Sequence, residues 1–232
     1  MVRRRAAAFW ANKSELTRSV GHHGSQSGEG RGSSELRPFR LYVYEPRGAA
    51  MSLRVTRKQP NSKMCLVCGL KNDGGLHASF YELANGELVA LFTPRDEHQS
   101  YPGRLHGGII TAILDETIGR AVMISCREDF WGVTVEFTTR FRKPVPLGVE
   151  LRVVGRIVKE EGRVFEGTGE ILLPDGEVAA TGSGKYLKLP LGRIADFDAG
   201  AEEWRVVDSA ADPAEIALPG VESGRPAPPR PV

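Results

Sequence analysis

The chain has 232 residues, of which 41% are hydrophobic and 26% are charged. This composition is typical of a globular protein with one large domain, or with one ordinary domain flanked by tails. The formal net charge of +2, from 31 basic and 29 acidic residues, argues against a dedicated nucleic-acid binder, because such proteins carry a clustered basic surplus. No apolar run approaches the roughly 18 residues that span a bilayer. We therefore expect a soluble, cytoplasmic protein that binds neither nucleic acid nor membrane.

Residues 1–64 are predicted to be a disordered N-terminal extension, or an extension that results from a misassigned start codon. Residues 21–35 are rich in Gly and Ser and offer almost no apolar surface to bury. Translation from Met51 or Met64 would remove that segment. The basic residues at the start could instead belong to a transit peptide, but the acidic residues that follow count against this interpretation.

The folded domain is predicted to span residues 65–190, where turn signals separate segments of strand length. Asn85-Gly86 predicts a hairpin between two strands within 76–93. A strongly apolar segment at 107–125 is long enough to favour a buried helix, and four further strands follow it. An antiparallel sheet that must cover one buried helix curls around that helix. The pattern therefore predicts an α+β protein with a hotdog fold.

Residues 191–232 are predicted to be a C-terminal tail. An acidic stretch follows the domain and could fold back as a short helix around Trp204. From Pro219 onward the sequence is rich in proline, which predicts an unstructured end.

The cysteines indicate a reducing compartment, because Cys65, Cys68 and Cys126 are an odd set that cannot pair completely in disulfides. Cys65 and Cys68 have the spacing of half a zinc site, but a structural zinc ion needs four ligands. Cys126, His77 and His98 are candidate ligands elsewhere in the domain, and none of them forms a second close pair. We interpret the two thiols as structural and expect neither a metal nor another cofactor.

Residues 102–116 contain the groups best suited to catalysis. Gly107 and Gly108 stand at the predicted start of the helix, where the first backbone N–H groups lack helical partners and no side chain blocks them. Such donors, aided by the helix dipole, suit a carbonyl oxygen that gains negative charge. Asp115 lies further along in an otherwise apolar stretch, and a buried carboxylate is costly unless it is paired or used.

The spacing between these groups predicts a dimer. Gly107 and Asp115 are eight residues apart, or about 12 Å along a helix axis, so both cannot reach one bound carbonyl from the same chain. If they act together they come from different subunits, which implies two composite sites related by a two-fold axis. An i, i+4 row of mostly small residues permits close approach by another chain or a slim ligand; its members are Gly107, Thr111, Asp115 and Gly119.

The motif His106-Gly107-Gly108, with an acid nine positions after the histidine, resembles the signature of the PaaI-like and 4-hydroxybenzoyl-CoA thioesterase superfamily. Residues 65–76 are similar to the Cys-x-x-Cys-Gly-x-x-Asn-x-x-Gly-Leu opening of one bacterial branch. A Gln-Ser-Tyr-Pro-Gly segment precedes the glycines, as it does there. Residues 134–147 resemble the strand that follows the helix in acyl-CoA thioesterases of this group. The resemblance covers about 65–190 and is specific as a set of motifs.

The resemblance implies an acyl-CoA thioesterase that acts as a homodimer or a dimer of dimers. The Gly107 N–H would polarise the thioester carbonyl, and Gly108 would permit the tight helix start. Asp115 from the partner chain would be the general base that activates water, or a direct nucleophile. Thr134 would orient the water. Strict alternation places Thr134 on the face opposite Phe137, so this role requires a bulge in the strand.

Further candidates surround the motif. His106 is a candidate catalytic residue, and we interpret it as fixing its loop through hydrogen bonds rather than moving protons. The candidate substrate-binding residues are Gly108, Gln99, Arg140, Arg142 and Lys143. The three basic side chains suit the phosphates of CoA, but they fit the solvent face of a strand equally well.

Two other functions stay open. Hydratases and dehydratases of acyl thioesters share the fold and pair a loop His with a helix Glu, for which the chain offers His98 and Glu116 in poorly matching surroundings. A non-catalytic module that binds acyl-CoA is the second alternative. Glu116 and Arg120 are expected to form a solvated i, i+4 salt bridge. The acyl group is not identified by the expected pocket residues, which are apolar: Ile110, Leu114 and Phe137.

Overall fold

The structure, a computed structural model, describes residues 51–127, 130–196 and 198–219. Within these residues eight strands form one antiparallel sheet. In chain order they are β1 (Met51–Lys58), β2 (Ser79–Leu83), β3 (Leu88–Phe92), β4 (Trp131–Phe141), β5 (Leu151–Glu161), β6 (Val164–Leu172), β7 (Val178–Leu189) and β8 (Glu215–Leu218). Their order across the sheet is β4-β7-β6-β5-β3-β2-β1-β8, so β4 and β8 are its two edges.

One long helix, α1 (Gly107–Arg120), lies against this sheet and contacts the five strands from β3 to β7. Its inward face is apolar and buried, and it joins the main core through Ile110, Ile113 and Leu114. The antiparallel sheet around one central helix confirms the predicted hotdog fold.

The predicted helix at 107–125 is interrupted near its end. The Ala121 N–H donates to Ile118 O at 3.1 Å, an i→i+3 bond that tightens the last turn and ends α1. A short second helix, α2 (Met123–Cys126), follows. Within the three described ranges, no helix has the length and apolar character needed to cross a membrane.

The predicted turns are present. Gly86, Gly162 and Gly176 have φ values of 81°, 55° and 85°, a left-handed conformation that glycine adopts at little cost. Gly86 closes the β2–β3 hairpin, where its N–H donates to Leu83 O at 2.9 Å. The local turn chemistry therefore determines where these strands end.

Two strands lie outside the predicted domain range of 65–190. β1 comes from the segment expected to be an extension, and β8 comes from the expected tail. They pair with each other from Met51↔Leu218 to Arg54↔Glu215, and β1 also pairs with β2. Ile216 and Leu218 of β8 are buried. The sheet thus extends past the predicted range on both sides, because its outer strands are joined by contacts that are distant in sequence.

The segment between β7 and β8 differs from the expected short helix. The Trp204 N–H donates to Ala199 O at 2.9 Å, which closes a turn, and a 3-10 helix (Leu191–Arg193) lies closer to β7. The predictions of disorder for residues 1–50 and for the chain after Pro219 lie outside the described residues.

Candidate active site

The i, i+4 row on α1 faces strand β4 of the same chain. The four residues of the row contact successive parts of β4, which runs antiparallel to the helix. The contacting pairs are Gly107 with Phe141, Thr111 with Thr139, Asp115 with Thr134, and Gly119 with Gly132. A Cβ on Gly132 would lie 2.6 Å from the Gly119 carbonyl oxygen, so these glycines allow the backbones to touch. The expected close approach at this row is therefore made within one chain.

A β-bulge places Thr134 on the helix side of β4. The register with β7 shifts between Thr134 and Glu136, which leaves Val135 40% exposed. Thr134 then faces Asp115, and Phe137 still packs against the core. Two residues three positions apart can share one face only when the alternation shifts between them. The bulge that the proposed role of Thr134 requires is present.

The Asp115 carboxylate is half-buried and accepts hydrogen bonds from two hydroxyl groups. Thr134 Oγ1 lies 2.9 Å from Oδ1 and 3.1 Å from Oδ2, and Tyr186 OH donates to Oδ1 at 3.1 Å. Burial raises the pKa of the Asp115 carboxyl above its ordinary value, while the bonds from Thr134 and Tyr186 oppose part of that rise and the charge of Glu116 adds to it.

Tyr186 was not among the predicted site residues. It is fully buried on β7 and stacks on Phe165 with ring centroids 4.9 Å apart. Burial and the neighbouring Asp115 carboxylate raise the pKa of its phenol, so the group stays protonated and acts as a donor. No motif surrounds Tyr186 in the sequence, and its role follows only from the packing of β7 beneath α1.

Asp115 lines a cavity of about 530 Å³. Apolar and aromatic groups form much of its wall, including Met123, Trp131 and Trp204. The two indole rings lie 4.5 Å apart between centroids. Since Trp204 comes from the segment between β7 and β8, a region outside the predicted domain completes this cavity.

The expected pocket residues do not line this cavity. Ile110 and Leu114 are buried in the main core, and Phe137 packs against the same cluster. Their side chains point from α1 and β4 into the main core. The cavity lies instead beside the Asp115 turn of the helix.

The start of α1 is organised by His106. Its Nδ1 accepts the Gly108 N–H at 2.9 Å as the helix N-cap, which agrees with the interpretation that His106 fixes its loop. Gln99 closes the preceding turn, since its Oε1 accepts the Gly103 N–H at 3.1 Å. The Gly107 N–H has no hydrogen-bond acceptor among the described residues. The Gly107 N–H at the start of α1 is therefore an open backbone donor.

The three basic candidates lie at the far end of β4 from Thr134. Arg140, Arg142 and Lys143 are all exposed, and Lys143 forms an ion pair with Glu177. This end of the strand is near the helix start, because Phe141 contacts Gly107. The structure thus brings these charges together with Gly107 rather than with Asp115.

A second polar cluster borders the same cavity. Arg120 and Glu116 form the predicted pair at 2.9 Å, but Arg120 is only 5% exposed, so the expectation of a solvated bridge was wrong. Arg120 also donates to Cys68 Sγ at 3.0 Å and to Pro60 O at 3.0 Å. The loop that carries the cysteines folds over this turn of α1, which is why the guanidinium is covered.

The Cys-x-x-Cys loop brings its thiols to the other side of Glu116. One ligand atom from each of Cys65, Cys68 and Glu116 lies within 4.8 Å of the others. Among the described residues, this is the group with the donor types and spacing to hold a metal ion. The sequence spacing indicated only the two cysteines, since Glu116 is far from them along the chain.

His98 and Glu116, the pair required by the hydratase alternative, do not meet. His98 is buried, with Nδ1 accepting the Arg95 N–H at 3.0 Å and Nε2 3.2 Å from Gly74 O. Glu116 is engaged by Arg120 and Cys65 instead. His98 also does not line the cavity, so the structure does not support that alternative.

An antiparallel hotdog sheet, a central helix with a glycine start and a hydrogen-bonded carboxylate on that helix define the class of this domain. Residues 102–180 match the model of the family described as Thioesterase superfamily.

Known proteins are similar over part of the chain. Acyl-coenzyme A thioesterase THEM4 from Xenopus laevis is 33% identical over 88 residues, which are 38% of this chain and 38% of that protein. A crystal structure of a thioesterase superfamily protein is 27% identical, with a TM-score of 0.49 over 53% of this chain and 59% of the other. The E. coli PaaI protein is 18% identical, with a TM-score of 0.45 over 49% of this chain and 80% of the other.

Proposed function

We propose that this protein is an acyl-CoA thioesterase, which hydrolyses the thioester to a free acid and CoA. The observation that carries the proposal is the half-buried Asp115 carboxylate, which two hydroxyl donors hold in the wall of a cavity of about 530 Å³. The match of residues 102–180 to the model of the Thioesterase superfamily supports the reaction class. The name of the Xenopus relative supports acyl-CoA as the substrate class.

Asp115 acts as the general base in this proposal. A water molecule held by Asp115 and Thr134 attacks the thioester carbonyl, and the carboxylate takes its proton. The carbonyl oxygen becomes negatively charged in the tetrahedral intermediate and is stabilised by a backbone donor. The carbon–sulfur bond then breaks, and the proton passes to the CoA sulfur. Tyr186 is a positioning residue, since it fixes the carboxylate without reaching the substrate.

The backbone donor comes from a second copy of the chain. α1 is continuous from Gly107 to Arg120, so its rise of about 1.5 Å per residue keeps Gly107 and Asp115 about 12 Å apart. β4 is an edge strand of 11 residues, and a long edge strand is a template for pairing with another chain. A two-fold dimer would bring the helix start of one protomer to the Asp115 of its partner.

The first experiment measures release of free thiol from a panel of acyl-CoAs by wild type and Asp115→Asn. The substitution keeps the shape and lets Thr134 and Tyr186 still donate, but it removes the base. We expect kcat/KM to fall by about 100-fold or more. Equal turnover by both proteins would exclude Asp115 as the base. Tight binding of acyl-CoA without turnover by either protein would instead support a non-catalytic binding module.

Solvent labelling separates the general base from a direct nucleophile. In one turnover in heavy-oxygen water, a general base places the label only in the released acid. A nucleophilic Asp115 forms a mixed anhydride with the acyl group, and its hydrolysis can place the label in the Asp115 carboxyl. Mass spectrometry of the peptide that contains Asp115 therefore decides between the two routes.

Mixed dimers test the composite site. Asp115→Asn and Gly107→Pro are each expected to be inactive, but a dimer with one copy of each retains one intact composite site. Random pairing of equal amounts should restore about one quarter of wild-type activity, since half of the dimers are mixed and each has one working site of two. If mixtures that are shown to contain mixed dimers recover no activity, the Gly107 N–H and the Asp115 carboxylate of one site come from the same chain.

A further inference from the structure

The Cys65–Cys68 loop and α1 form an arrangement that the hydrolytic reaction does not use. Cys65 Sγ lies 3.3 Å from Glu116 Oε2, and both sulfurs and a carboxylate oxygen of Glu116 lie within 4.8 Å of one another. All three residues line the cavity that contains Asp115. Cys65 is half-buried and Cys68 is buried.

We propose that Cys65, Cys68 and Glu116 bind Zn²⁺ through two thiolates and one carboxylate oxygen. Zinc bonds of about 2.3 Å to sulfur and 2.0–2.2 Å to oxygen place tetrahedral ligand atoms about 3.5 Å apart. The sulfur–oxygen separation of 3.3 Å is close to that value. Because all three ligand residues line the cavity, a water molecule or a bound ligand can supply the fourth ligand.

The surrounding groups are arranged as donors to the two sulfurs. The Val67 N–H donates to Cys65 Sγ at 3.3 Å, and the Arg120 guanidinium donates to Cys68 Sγ at 3.0 Å. Outer groups of this kind orient the ligands of metal sites. A Cβ on Gly69 would lie 2.4 Å from the Cys65 carbonyl oxygen, so glycine is required for the loop to close with both sulfurs on one side.

The net charge of the three ligands and the different partners of the two Glu116 carboxylate oxygens are compatible with a divalent cation. Arg120 binds Oε1 of Glu116 at 2.9 Å, which leaves Oε2 directed toward Cys65. Two thiolates and one carboxylate carry three negative charges, which one Zn²⁺ and the Arg120 guanidinium balance. A neutral cluster is favoured in a buried place, where uncompensated charge is costly. The metal would tie the cysteine loop to α1 next to Asp115.

Metal analysis of the full chain tests this site independently of thioesterase activity. Protein prepared with added zinc and then freed of loosely bound metal should retain about one Zn²⁺ per chain. Cys65→Ser should lower the retained zinc at least tenfold, and Glu116→Gln should also lower it. Cys126→Ser is the matched control, because this half-buried cysteine lies outside the cluster, and it should retain the wild-type amount.

Cobalt binding and the Tm supply two readouts on the wild-type protein itself, which do not depend on how well a variant folds. Metal-free wild type titrated with Co²⁺ should develop a thiolate-to-cobalt charge-transfer band, and added Zn²⁺ should raise its Tm because the metal binds the native state. Cys65→Ser should give neither response. The proposal is overturned if reduced wild type retains no zinc and gives no cobalt band.

Discussion

The two ends of α1 are built differently. The first turn is open, since Gly107 is half-buried, Gly108 is exposed and the Gly107 N–H lacks an acceptor within the described residues. The turn that contains Asp115 is enclosed, since Thr134 and Tyr186 hold its carboxylate and a cavity lies beside it. One end offers a backbone donor and the other offers an oriented carboxylate.

The two ends of this helix supply different chemical groups, and neither end by itself provides both the backbone donor and the carboxylate. The open end suits a carbonyl oxygen that develops negative charge, because its donor is free and the helix dipole is positive there. The enclosed end suits proton transfer, because burial raises the pKa of the Asp115 carboxyl. The rise of the helix keeps these two groups about 12 Å apart, and in the proposed thioesterase a second copy of the chain brings them together.

The strongest test of the open end is Gly107→Pro, which removes the backbone donor. Proline is tolerated at the first helical position, and the extended backbone of His106, with φ −66° and ψ 136°, is compatible with a following proline. We expect kcat to fall about 100-fold, the scale for loss of one oxyanion donor, with the fold unchanged by circular dichroism.

Gly107→Ala is its matched control, because it adds a side chain but keeps the N–H. A Cβ at this position would lie 3.4 Å from the Phe141 ring, a contact the ring can accommodate by a small shift. Activity of the alanine variant should stay within a few-fold of wild type. Equal losses in both variants would assign the effect to crowding against Phe141 and would remove the N–H from the mechanism.

At the enclosed end, Thr134→Val should lower kcat by about 10-fold. The valine keeps the branched shape that packs against α1, but it cannot donate to Asp115 or hold the attacking water. Thr134→Ser keeps the hydroxyl and should recover most of the activity. If the valine variant were as active as wild type, Thr134 would contribute only to packing at the bulge and would have no role in holding Asp115 or the water.

Tyr186→Phe should produce a smaller loss, less than about 10-fold, together with a shift of the pH profile. The phenol lowers the pKa of the Asp115 carboxyl, so its removal raises that pKa, and the acid limb of kcat/KM should move to higher pH. In wild type this limb should already lie above the ordinary Asp range, because burial raises the pKa. A profile that does not move would leave Tyr186 with a structural role alone.

The smallest effect is expected from the basic residues near the open end. Arg140→Gln and Arg142→Gln should each raise KM for an acyl-CoA by about 3-fold, the scale of an exposed phosphate contact. Neither should change the hydrolysis of a short acyl thioester that lacks the nucleotide phosphates. Arg163→Gln, on the exposed β5–β6 turn, is the control for a general loss of positive charge. Equal KM changes for both substrates would exclude a phosphate contact.

The sequence predicted the parts of the fold that depend on local signals. The Asn85-Gly86 hairpin, the apolar stretch that forms α1 and the turns at Gly162 and Gly176 are each encoded within a few residues. β1 and β8 were missed, because the strands pair across more than 150 intervening residues, for example between Ser52 and Glu215, which are 163 apart, and neither has a strong pattern of its own.

The candidate site divides in the same way. The placement of Asp115 on the central helix and of Gly107 at its start follows from short motifs and from helical geometry. Tyr186 could not be predicted, because its hydroxyl meets the carboxylate only through the pairing of β4 with β7.

By itself the sequence determined the hotdog class, the helix start at Gly107 and the acid that stands eight residues later, because turns, periodicity and helical rise are local properties. Only the tertiary structure decided that a bulge turns Thr134 toward Asp115, that Trp204 completes the cavity, and that Cys65 and Cys68 meet Glu116. These contacts join segments far apart in the chain, and they depend on how the whole sheet and its connections pack around α1.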